Sequence, residues 1–262
     1  MELTLIISYY RALDNLKIIL KALRNQSFKD FEVIVSEDDF NEETISFIKG
    51  NGHLYPFPIS HIYQKEDNGF RKNMMLNRSV LHANAEKLVF IDGDCVPHKH
   101  FIKQYIKNLK PGCFLLGRRV MLGEKLSASI LRKQSFKRLS VFSLIFSDSK
   151  KIKESIYNPY FKLALKTRGL VGCNWSILKQ YLIDVNGFDE DYIRVGVGED
   201  CDIEWRLIES GLKKKSIKNK AITYHLYHPQ THSDENSFEN YELLKRKMQA
   251  KQISCLNGLE KQ

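Results

Sequence analysis

Asp92, Gly93 and Asp94 form a short acidic motif with the residue types and spacing of a divalent-cation site. The motif directly follows the apolar run Leu88-Val89-Phe90-Ile91, which is typical of a buried strand in a parallel sheet. Because the interior of a buried strand would not accept carboxylates, the aspartates must lie at its carboxyl end, where open α/β sheets bind their ligands. Hard oxygen ligands of this kind suit Mg²⁺ or Mn²⁺, although Asp-Gly is also common in plain turns.

A second acidic group lies in the C-terminal half of the chain. Glycines at 196 and 198 are followed by Glu199, Asp200 and Asp202. This order predicts a glycine-rich loop that enters a helix at the acids. Acids in a first helical turn also interact favourably with the helix dipole, so the group has a purely structural interpretation as well.

The elements that must position these residues alternate along the first 97 residues. Apolar runs predict strands at 3–7, 31–35, 61–64 and 88–91, and helical spacing predicts helices between them, including one at 70–82. The second strand also ends in acids, at 36–39. Alternating strands and helices predict a mostly parallel, doubly wound sheet, with three strand ends converging on one crevice.

Composition places the chain among ordinary globular proteins, with 43% hydrophobic and 11% aromatic residues and room for one α/β domain. No apolar run approaches the roughly 18 residues that span a bilayer. The amino terminus reads as the first strand rather than as a signal peptide. Five scattered cysteines indicate neither a disulfide framework nor a zinc site, and we expect a cytoplasmic protein.

The net charge of +10 is concentrated in residues 118–168, which hold 13 Lys/Arg and 3 Asp/Glu. A local excess of this kind argues against a general nucleic-acid binder. Within it, residues 126–146 predict a basic amphipathic helix. Such a helix could lie on an anionic membrane surface, or it could cover the core with a solvated basic face.

In its first half the chain resembles family 2 glycosyltransferases with the GT-A fold. The resemblance rests on Val35-Ser36-Glu37-Asp38-Asp39, which is similar to a "VDDGS"-like turn, and on the "DxD" of Asp92 and Asp94. Residues 70–77 look like the "FNRAxLLN" helix of β-1,4-galactosyltransferases, and residues 90–97 look like their "FxDxDxxP". The resemblance implies a mostly parallel, Rossmann-like sheet flanked by helices, here with a basic helical insertion.

The same resemblance implies a nucleotide site. Glu37 or Asp38 would hold the uridine, and Arg71 and Lys72 would meet the diphosphate. A solvated loop and an exposed helical face are the structural alternatives for these two pairs. The full set of expected donor-site residues is Ser8, Tyr9, Arg11, Glu37, Asp38, Arg71, Lys72, Asn77, Asp92 and Gly93.

In its second half the chain is similar to the C-terminal part of the galactosyltransferases, where "NGF" precedes "GWGGEDDD". The match implies that Asp200 is the catalytic base and that Glu199 holds the acceptor or orients the loop. Gly196 occupies the position of the family's tryptophan, so acceptor choice does not carry over. Trp175 could supply a replacement stacking face, or it could be a core residue.

A short apolar strand at 221–229 ends in two histidines. The related enzymes take a further metal ligand from a histidine after the acidic loop, so His225 or His228 would join Asp92 and Asp94, with His225 slightly favoured. Imidazole suits Mn²⁺ better than Mg²⁺ or Ca²⁺. On its own, a histidine pair is more often a surface or core feature.

Together with these features, the resemblance implies an inverting, metal-dependent transferase that moves a hexose or N-acetylhexosamine from a UDP-sugar to a capsule- or lipopolysaccharide-type glycan. One carboxylate takes the acceptor proton, and Mn²⁺ or Mg²⁺ replaces a general acid by stabilising the departing diphosphate. The expected partners are the nucleotide-sugar and a glycan or lipid-linked glycan, with no nucleic acid. Membrane contact through 118–168 would make the enzyme peripheral on the inner face of a membrane.

The expected organisation is one domain, 1–262. It divides into a nucleotide-binding half at 1–97, a basic helical insertion at 98–170, an acceptor half at 171–230 and a peripheral C-terminal helix at 231–262. Two other functions stay open at this stage. One is a nucleotidyltransferase on a similar fold, which would not need the acidic helix. The other is a non-enzymatic basic adaptor, which would not need clustered carboxylates.

Overall fold

The computed structural model describes residues 1–136, 139–160, 167–195, 199–229 and 234–261. The predicted glycine-rich loop at 196–198 lies outside the described residues, as does the start of the C-terminal segment up to residue 233. The strands are β1 (Leu3–Tyr9), β2 (Phe31–Glu37), β3 (Ile59–Tyr63), β4 (Lys87–Asp92), β5 (Cys95–Pro97), β6 (Cys113–Leu116), β7 (Arg118–Met121), β8 (Asn174–Leu178), β9 (Lys213–Ser216) and β10 (Ile222–His225). The helices are α1 (Leu13–Arg24), α2 (Glu42–Asn51), α3 (Lys72–His82), α4 (Phe101–Asn108), α5 (Glu124–Lys133), α6 (Val141–Ile145), α7 (Lys179–Asp184), α8 (Glu199–Glu209) and α9 (Asp234–Gln249), with 3₁₀ turns at Gly52–Leu54 and Ile152–Ser155.

Within the described ranges, seven strands form the main sheet in the order β3-β2-β1-β4-β8-β6-β9. Strands β3, β2, β1 and β4 are parallel, whereas β8 runs antiparallel to both β4 and β6. The predicted mostly parallel α/β sheet flanked by helices is confirmed. Its three acid-tipped or polar strand ends, those of β1, β2 and β4, lie side by side.

Apolar side chains pack on both faces of this sheet and fix its register. Alternate residues of β1 point to opposite sides, with Leu5 in one core cluster and Ile6 in the other. Trp175 belongs to the second cluster, where it is 1% exposed and stacks on Phe90 with ring centroids 4.6 Å apart. Of the two interpretations of Trp175, the core residue is correct.

Three described strands form a second sheet in the order β5-β10-β7. This sheet brings Asp94, which precedes β5, next to His225 of β10. β10 pairs antiparallel with β5, which places His225 opposite Cys95, and it pairs parallel with β7. The backbone N–H of Leu226 also donates to the carbonyl of Asp94 at 2.8 Å. The small sheet therefore holds Asp94 and His225 side by side.

Residues 98–170 differ from the predicted helical insertion. Their first part supplies β6 to the main sheet and β7 to the small sheet, because 113–116 is apolar and fully buried. The single helix predicted at 126–146 is also wrong. Helix α5 ends at Lys133, because Gln134 after it has a left-handed φ of 43°, and α6 begins after Ser140, whose hydroxyl accepts from the N–H of Ser143. Residues 137–138 and 161–166 of this segment lie outside the described residues.

The C-terminal segment contributes more than a peripheral helix. Beyond α9, the chain returns to the loop at Asn186, whose side-chain amide donates to the carbonyls of Cys255 at 2.7 Å and Glu260 at 2.8 Å. Cys255 is fully buried. Lys247 of α9 is itself buried beside Asp189. Among the helices of the described residues, none has the length and apolar character needed to cross a bilayer.

Candidate active site

The carboxyl ends of β1, β2 and β4 open onto one crevice of about 640 Å³. Its walls come from the ends of these strands, the start of α3 and the segment after β10. Because parallel strands end at the same edge of a sheet, the predicted convergence follows from the strand order. The predicted residues that line this crevice are Ser8, Tyr9, Asp38, Lys72, Asp92, Gly93, Asp94 and His228.

Close backbone contacts form the floor of the crevice. The N–H of Gly93 donates to the carbonyl of Ser8 at 2.6 Å, and the N–H of Asp38 donates to the carbonyl of Tyr9 at 2.9 Å. A Cβ at position 93 would lie 3.1 Å from both Ser8 O and the Tyr9 ring, which explains the glycine between the aspartates. Tyr9 forms part of the wall, and its hydroxyl contacts Thr44 at 3.0 Å. Burial raises the pKa of Tyr9 to about 12.

Asp94 contacts both histidines. The Nε2 atoms of His225 and His228 each lie 3.2 Å from Asp94 Oδ2. Burial alone would raise the pKa of Asp94, but the hydrogen bond from His228 and the charge of His225 hold it below its usual value. The hydrogen bond to Asp94 raises the pKa of His228 to about 9, whereas burial lowers the pKa of His225.

These three groups fit a divalent cation. One carboxylate and two imidazoles converge within hydrogen-bonding distance, and such a mixed donor set suits Mn²⁺. Cys95 lies beside them, with its thiol 3.2 Å from Asp94 Oδ1, and Asp94, Cys95 and His225 together form a cluster whose ligand atoms lie within 4.8 Å of one another. Within the described part of the chain, buried Nδ1 of His225 has no hydrogen-bond partner.

Asp92 contacts a lysine instead of the histidines. Lys72 Nζ lies 3.4 Å from Asp92 Oδ1 and 3.9 Å from Glu199 Oε1. Burial would lower the pKa of Lys72, but the charges of Asp92, Glu199 and Asp200 outweigh it and raise that pKa. Lys72 therefore does not lie on an exposed helical face: it is a charged group that joins the strand-end acids to the acids of α8.

Glu199 and Asp200 begin α8 and are packed against the rest of the site. Asp200 Oδ2 accepts a hydrogen bond from the N–H of Gly172 at 2.7 Å. A Cβ at residue 172 would lie 2.6 Å from Asp200 Oδ1, so only glycine allows this approach. Burial raises the pKa of Asp200, and burial with the charge of Asp200 raises the pKa of Glu199 to about 7.

A small internal cavity of about 10 Å³ shows that the two acidic groups share one space. Ser8, Lys72 and Asp92 line it on the strand side, and Glu199 and Asp200 line it on the α8 side. Glu199 Oε2 is buried without a hydrogen-bond partner among the described residues. The buried carboxyl groups of Glu199 and Asp200 can therefore exchange a proton with a bound molecule, and Lys72 and Asp92 lie beside them.

Four predicted donor-site residues are not brought to the crevice. The Arg11 guanidinium donates to Asp39 and to Asp67, and Glu37 is fully buried with His61 at 2.7 Å. Asn77 bonds the backbone of Phe188, and Arg71 donates its side chain to the carbonyl of Phe70. The backbone N–H of Arg71 nevertheless reaches Asp38, 2.9 Å from Oδ2. Asp38, not Glu37, faces the crevice.

Sequence reasoning missed Arg119. This residue of β7 lies behind the site, with NH1 3.1 Å from the thiol of Cys173. Burial would lower the pKa of Arg119, but the hydrogen bond to Cys173 and the charge of Asp92 help to raise it. Its membership of the basic segment suggested a surface position, and no local pattern in the sequence indicated otherwise.

Comparison with known proteins identifies a family for this chain. Residues 4–185 match the model of the family described as glycosyl transferase family 2, and residues 154–229 match one described as the N-terminal domain of galactosyltransferase. The chain is 24% identical over 264 residues to the uncharacterised glycosyltransferase YfnE of Bacillus subtilis (strain 168), a match that covers 87% of this chain and 66% of YfnE.

Among solved structures, S. aureus TarS 1–349 in complex with UDP is similar with a TM-score of 0.65 at 17% identity, over 95% of this chain and 65% of that one. The complex of TarS 1–349 with UDP-GlcNAc is similar with a TM-score of 0.63 at 15% identity, over 95% of this chain and 66% of that one. The mannosyltransferase PcManGT from Pyrobaculum calidifontis, in complex with GDP-Man and Mn²⁺, is similar with a TM-score of 0.60 at 14% identity, over 96% of this chain and 62% of that one. These similarities show a shared fold, and the chain spans slightly less than two thirds of each of these proteins.

Proposed function

The chain belongs to glycosyl transferase family 2 and has the GT-A fold, and from that premise we propose that it is an inverting, metal-dependent glycosyltransferase. One observation carries the proposal. The strand-end Asp92 and the buried α8 acids Glu199 and Asp200 face one another across Lys72, next to a crevice large enough for a nucleotide-sugar. A nucleotidyltransferase would need the strand-end carboxylates but not the acids of α8.

The donor is a UDP-sugar that carries a hexose or N-acetylhexosamine. Asp38 offers the carboxylate that a uracil N–H or ribose hydroxyl requires, because it faces the crevice and is held by Gln64 and the N–H of Arg71. Ser8 and Gly93 line the floor, and Lys72 supplies a cation for the diphosphate. The UDP and UDP-GlcNAc complexes of a protein with the same fold support this choice of nucleotide.

A divalent cation completes the donor site. Asp94, His225 and His228 would hold it, with Asp92 as a further oxygen ligand on the Lys72 side. When bound, the metal supplies the positive charge that stabilises a departing diphosphate, so that no protein acid is needed. Mn²⁺ is our first choice because imidazole contributes to the donor set.

Asp200 is the proposed base, which takes the proton from the acceptor hydroxyl. The Gly172 N–H fixes Oδ2, which leaves Oδ1 for that proton, and burial raises the pKa of Asp200 towards a useful range. Glu199 is the proposed acceptor-side or positioning group. Its unpartnered Oε2 and its pKa of about 7 also make it a competing candidate for the base.

The proposed acceptor is a glycan of the capsule or lipopolysaccharide type, free or lipid-linked, handled on the inner side of a membrane. This part of the proposal rests on the resemblance to family 2 and galactosyltransferase-like enzymes. The described residues contribute Ile193, Arg194 and Phe238 to a groove of about 540 Å³ beyond the donor crevice. Val195 of the same loop lines the donor crevice, so the two spaces are neighbours.

The test is a thermal-shift or calorimetric panel of UDP, GDP, CMP and dTDP, each with and without Mn²⁺. We expect stabilisation by UDP only when Mn²⁺ is present. Stabilisation by UDP without metal would contradict the proposed cation site but not the donor. No response to any nucleotide would overturn the proposed function and favour a non-enzymatic adaptor.

A further inference from the structure

Helix α6 exposes a group of large apolar side chains. Phe142 and Phe146 are 77% and 87% exposed and lie one helical turn apart, and Val141 and Ile145 are exposed beside them. Within α6, only Leu144 is buried. Aromatic rings that remain this exposed over consecutive turns cost solvation free energy and mark an interaction surface.

Exposed cations lie in the chain segments on either side of α6. Lys125, Arg132 and Lys133 are exposed on α5, and Lys150, Lys151 and Lys153 are exposed in the segment after α6. Among the described residues, none of these six side chains forms an ion pair with a carboxylate. Lys125 and Phe146 line the same groove of about 580 Å³, so a cation lies directly beside an exposed ring. In the described part of residues 118–168, the only exposed acidic residues are Glu124 and Asp148.

We propose that residues 124–136 and 139–153, hereafter the α6 surface, dock on a bilayer that contains anionic phospholipid. Phe142 and Phe146 would enter the boundary between headgroups and acyl chains, while the unpaired lysines and arginines would meet the negative headgroups. This combination distinguishes a membrane from a soluble polyanion. Nucleic acid would pair with the cations but would leave the four apolar side chains of α6 in water.

Two hydrogen bonds connect the chain at the start of α5 to the segment of His225 and His228. Ser127 Oγ of α5 accepts from the N–H of Tyr227 at 2.8 Å, and the N–H of Leu122 donates to the carbonyl of His225 at 2.9 Å. Docking would therefore place the segment of His225 and His228 close to the bilayer. The docking itself does not depend on the proposed function, because it involves neither nucleotide nor metal.

The test measures sedimentation of the full chain with phosphatidylcholine vesicles, with and without phosphatidylglycerol. We expect binding only to the anionic vesicles, with a bound fraction that falls as salt is added, because exposed charges are screened. The double variant Phe142→Ser/Phe146→Ser should weaken partitioning by at least about tenfold, the scale set by withdrawing two rings from the apolar boundary. Lys150→Gln/Lys151→Gln/Lys153→Gln should weaken it on anionic vesicles as well.

Two control variants separate this surface from general stickiness. Leu54→Ser/Leu81→Ser removes two apolar side chains that are each 59% exposed but lie outside the basic segment, and it should bind vesicles as the natural chain does. Lys213→Gln/Lys215→Gln removes two cations of the edge strand β9 and should also have no effect. Because the substituted side chains of α6 are exposed, the thermal midpoint of the Phe variant should match that of the natural chain.

Three outcomes would overturn the proposal. One is equal binding to vesicles without phosphatidylglycerol. Another is vesicle binding by Phe142→Ser/Phe146→Ser that equals that of the natural chain. The third is salt-sensitive binding to heparin or RNA without any vesicle binding, which would assign the surface to a soluble polyanion. Because vesicle binding is read without donor or metal, its failure is distinguishable from failure of the nucleotide panel.

Discussion

The side-chain amide of Asn77 forms two hydrogen bonds with the backbone of Phe188. Its Nδ2 donates to the Phe188 carbonyl at 2.8 Å, and its Oδ1 accepts from the Phe188 N–H at 2.8 Å. A Cβ at Gly187 would lie 2.5 Å from Asn77 Oδ1, and the φ of Gly187 is +74°. The "NGF" loop is thus tied to α3 by the amide of Asn77, and Asn73 of the same helix adds a hydrogen bond from its Nδ2 to the carbonyl of Asp189 at 2.7 Å.

Asn77→Ala should destabilise the fold, because it leaves the buried N–H and carbonyl of Phe188 without these partners. We expect a loss of about 2–3 kcal/mol in the free energy of unfolding, measured with urea. Asn25→Ala, at an exposed asparagine after α1, is the matched control and should cost less. If Asn77→Ala instead keeps its stability and loses UDP affinity, Asn77 is a donor contact as the family resemblance implied.

Asp200→Asn should lower kcat by about 10²–10⁴ while leaving UDP affinity nearly unchanged, because an amide cannot accept the acceptor's proton. Initial rates and nucleotide titrations on the same preparation measure both effects. Glu209→Gln, exposed at the other end of α8, should turn over normally. A normal kcat for Asp200→Asn together with a large loss for Glu199→Gln would transfer the role of base to Glu199.

His225→Asn should weaken the Mn²⁺ dependence of UDP binding more than His228→Asn does. His225 belongs to β10 and its side chain is 8% exposed, so the strand fixes its ring, whereas the His228 side chain is 48% exposed beyond the strand. The Mn²⁺ concentration at half-maximal thermal shift should rise at least about tenfold for His225→Asn. His82→Asn, an exposed histidine of α3, is the control. A larger shift for His228→Asn would reverse the assignment.

Asp38 should make stability depend on pH. Burial outweighs the hydrogen bonds from Arg71 and Gln64 and raises its pKa from 3.8 to about 6. The folded state therefore holds this proton more tightly than the unfolded state. The stability that this provides is fully present below about pH 4 and is lost as the pH rises through about 6.

Asp38→Asn removes that dependence. Relative to the natural chain, its free energy of unfolding should rise by something on the order of 2 kcal/mol between about pH 4 and pH 8. Urea unfolding at the two pH values measures the change. Asp184→Asn, an exposed carboxylate of α7, is the control for loss of one negative charge. A pH-independent difference between Asp38→Asn and the natural chain would contradict the raised pKa.

Much of the fold was predictable because the buried strands of the first half consist of continuous apolar residues. Residues 88–91 could only be a central strand, and the polar residues that follow could only lie at its end. Besides the organisation of residues 98–170, the prediction failed in the direction of individual side chains. Glu37 and Asp38 are neighbours, yet one is buried against His61 and the other faces the crevice, because consecutive residues at a strand end point to opposite sides. The prediction that Arg11 belongs to the donor site failed for another reason, because its guanidinium is paired with Asp39 and Asp67.

By itself the sequence determined the order of strands and helices in the first 97 residues, the mostly parallel sheet and the edge at which the acids collect, since each follows from local burial and periodicity. The tertiary structure alone decided which charges meet. Lys72, Asp92 and Glu199 come from α3, β4 and α8, and His225 reaches Asp94 only through the small sheet that β10 forms with β5 and β7. The contacts of Lys72 with Glu199 and of His225 with Asp94 join residues more than a hundred positions apart, and they depend on packing that no local pattern encodes.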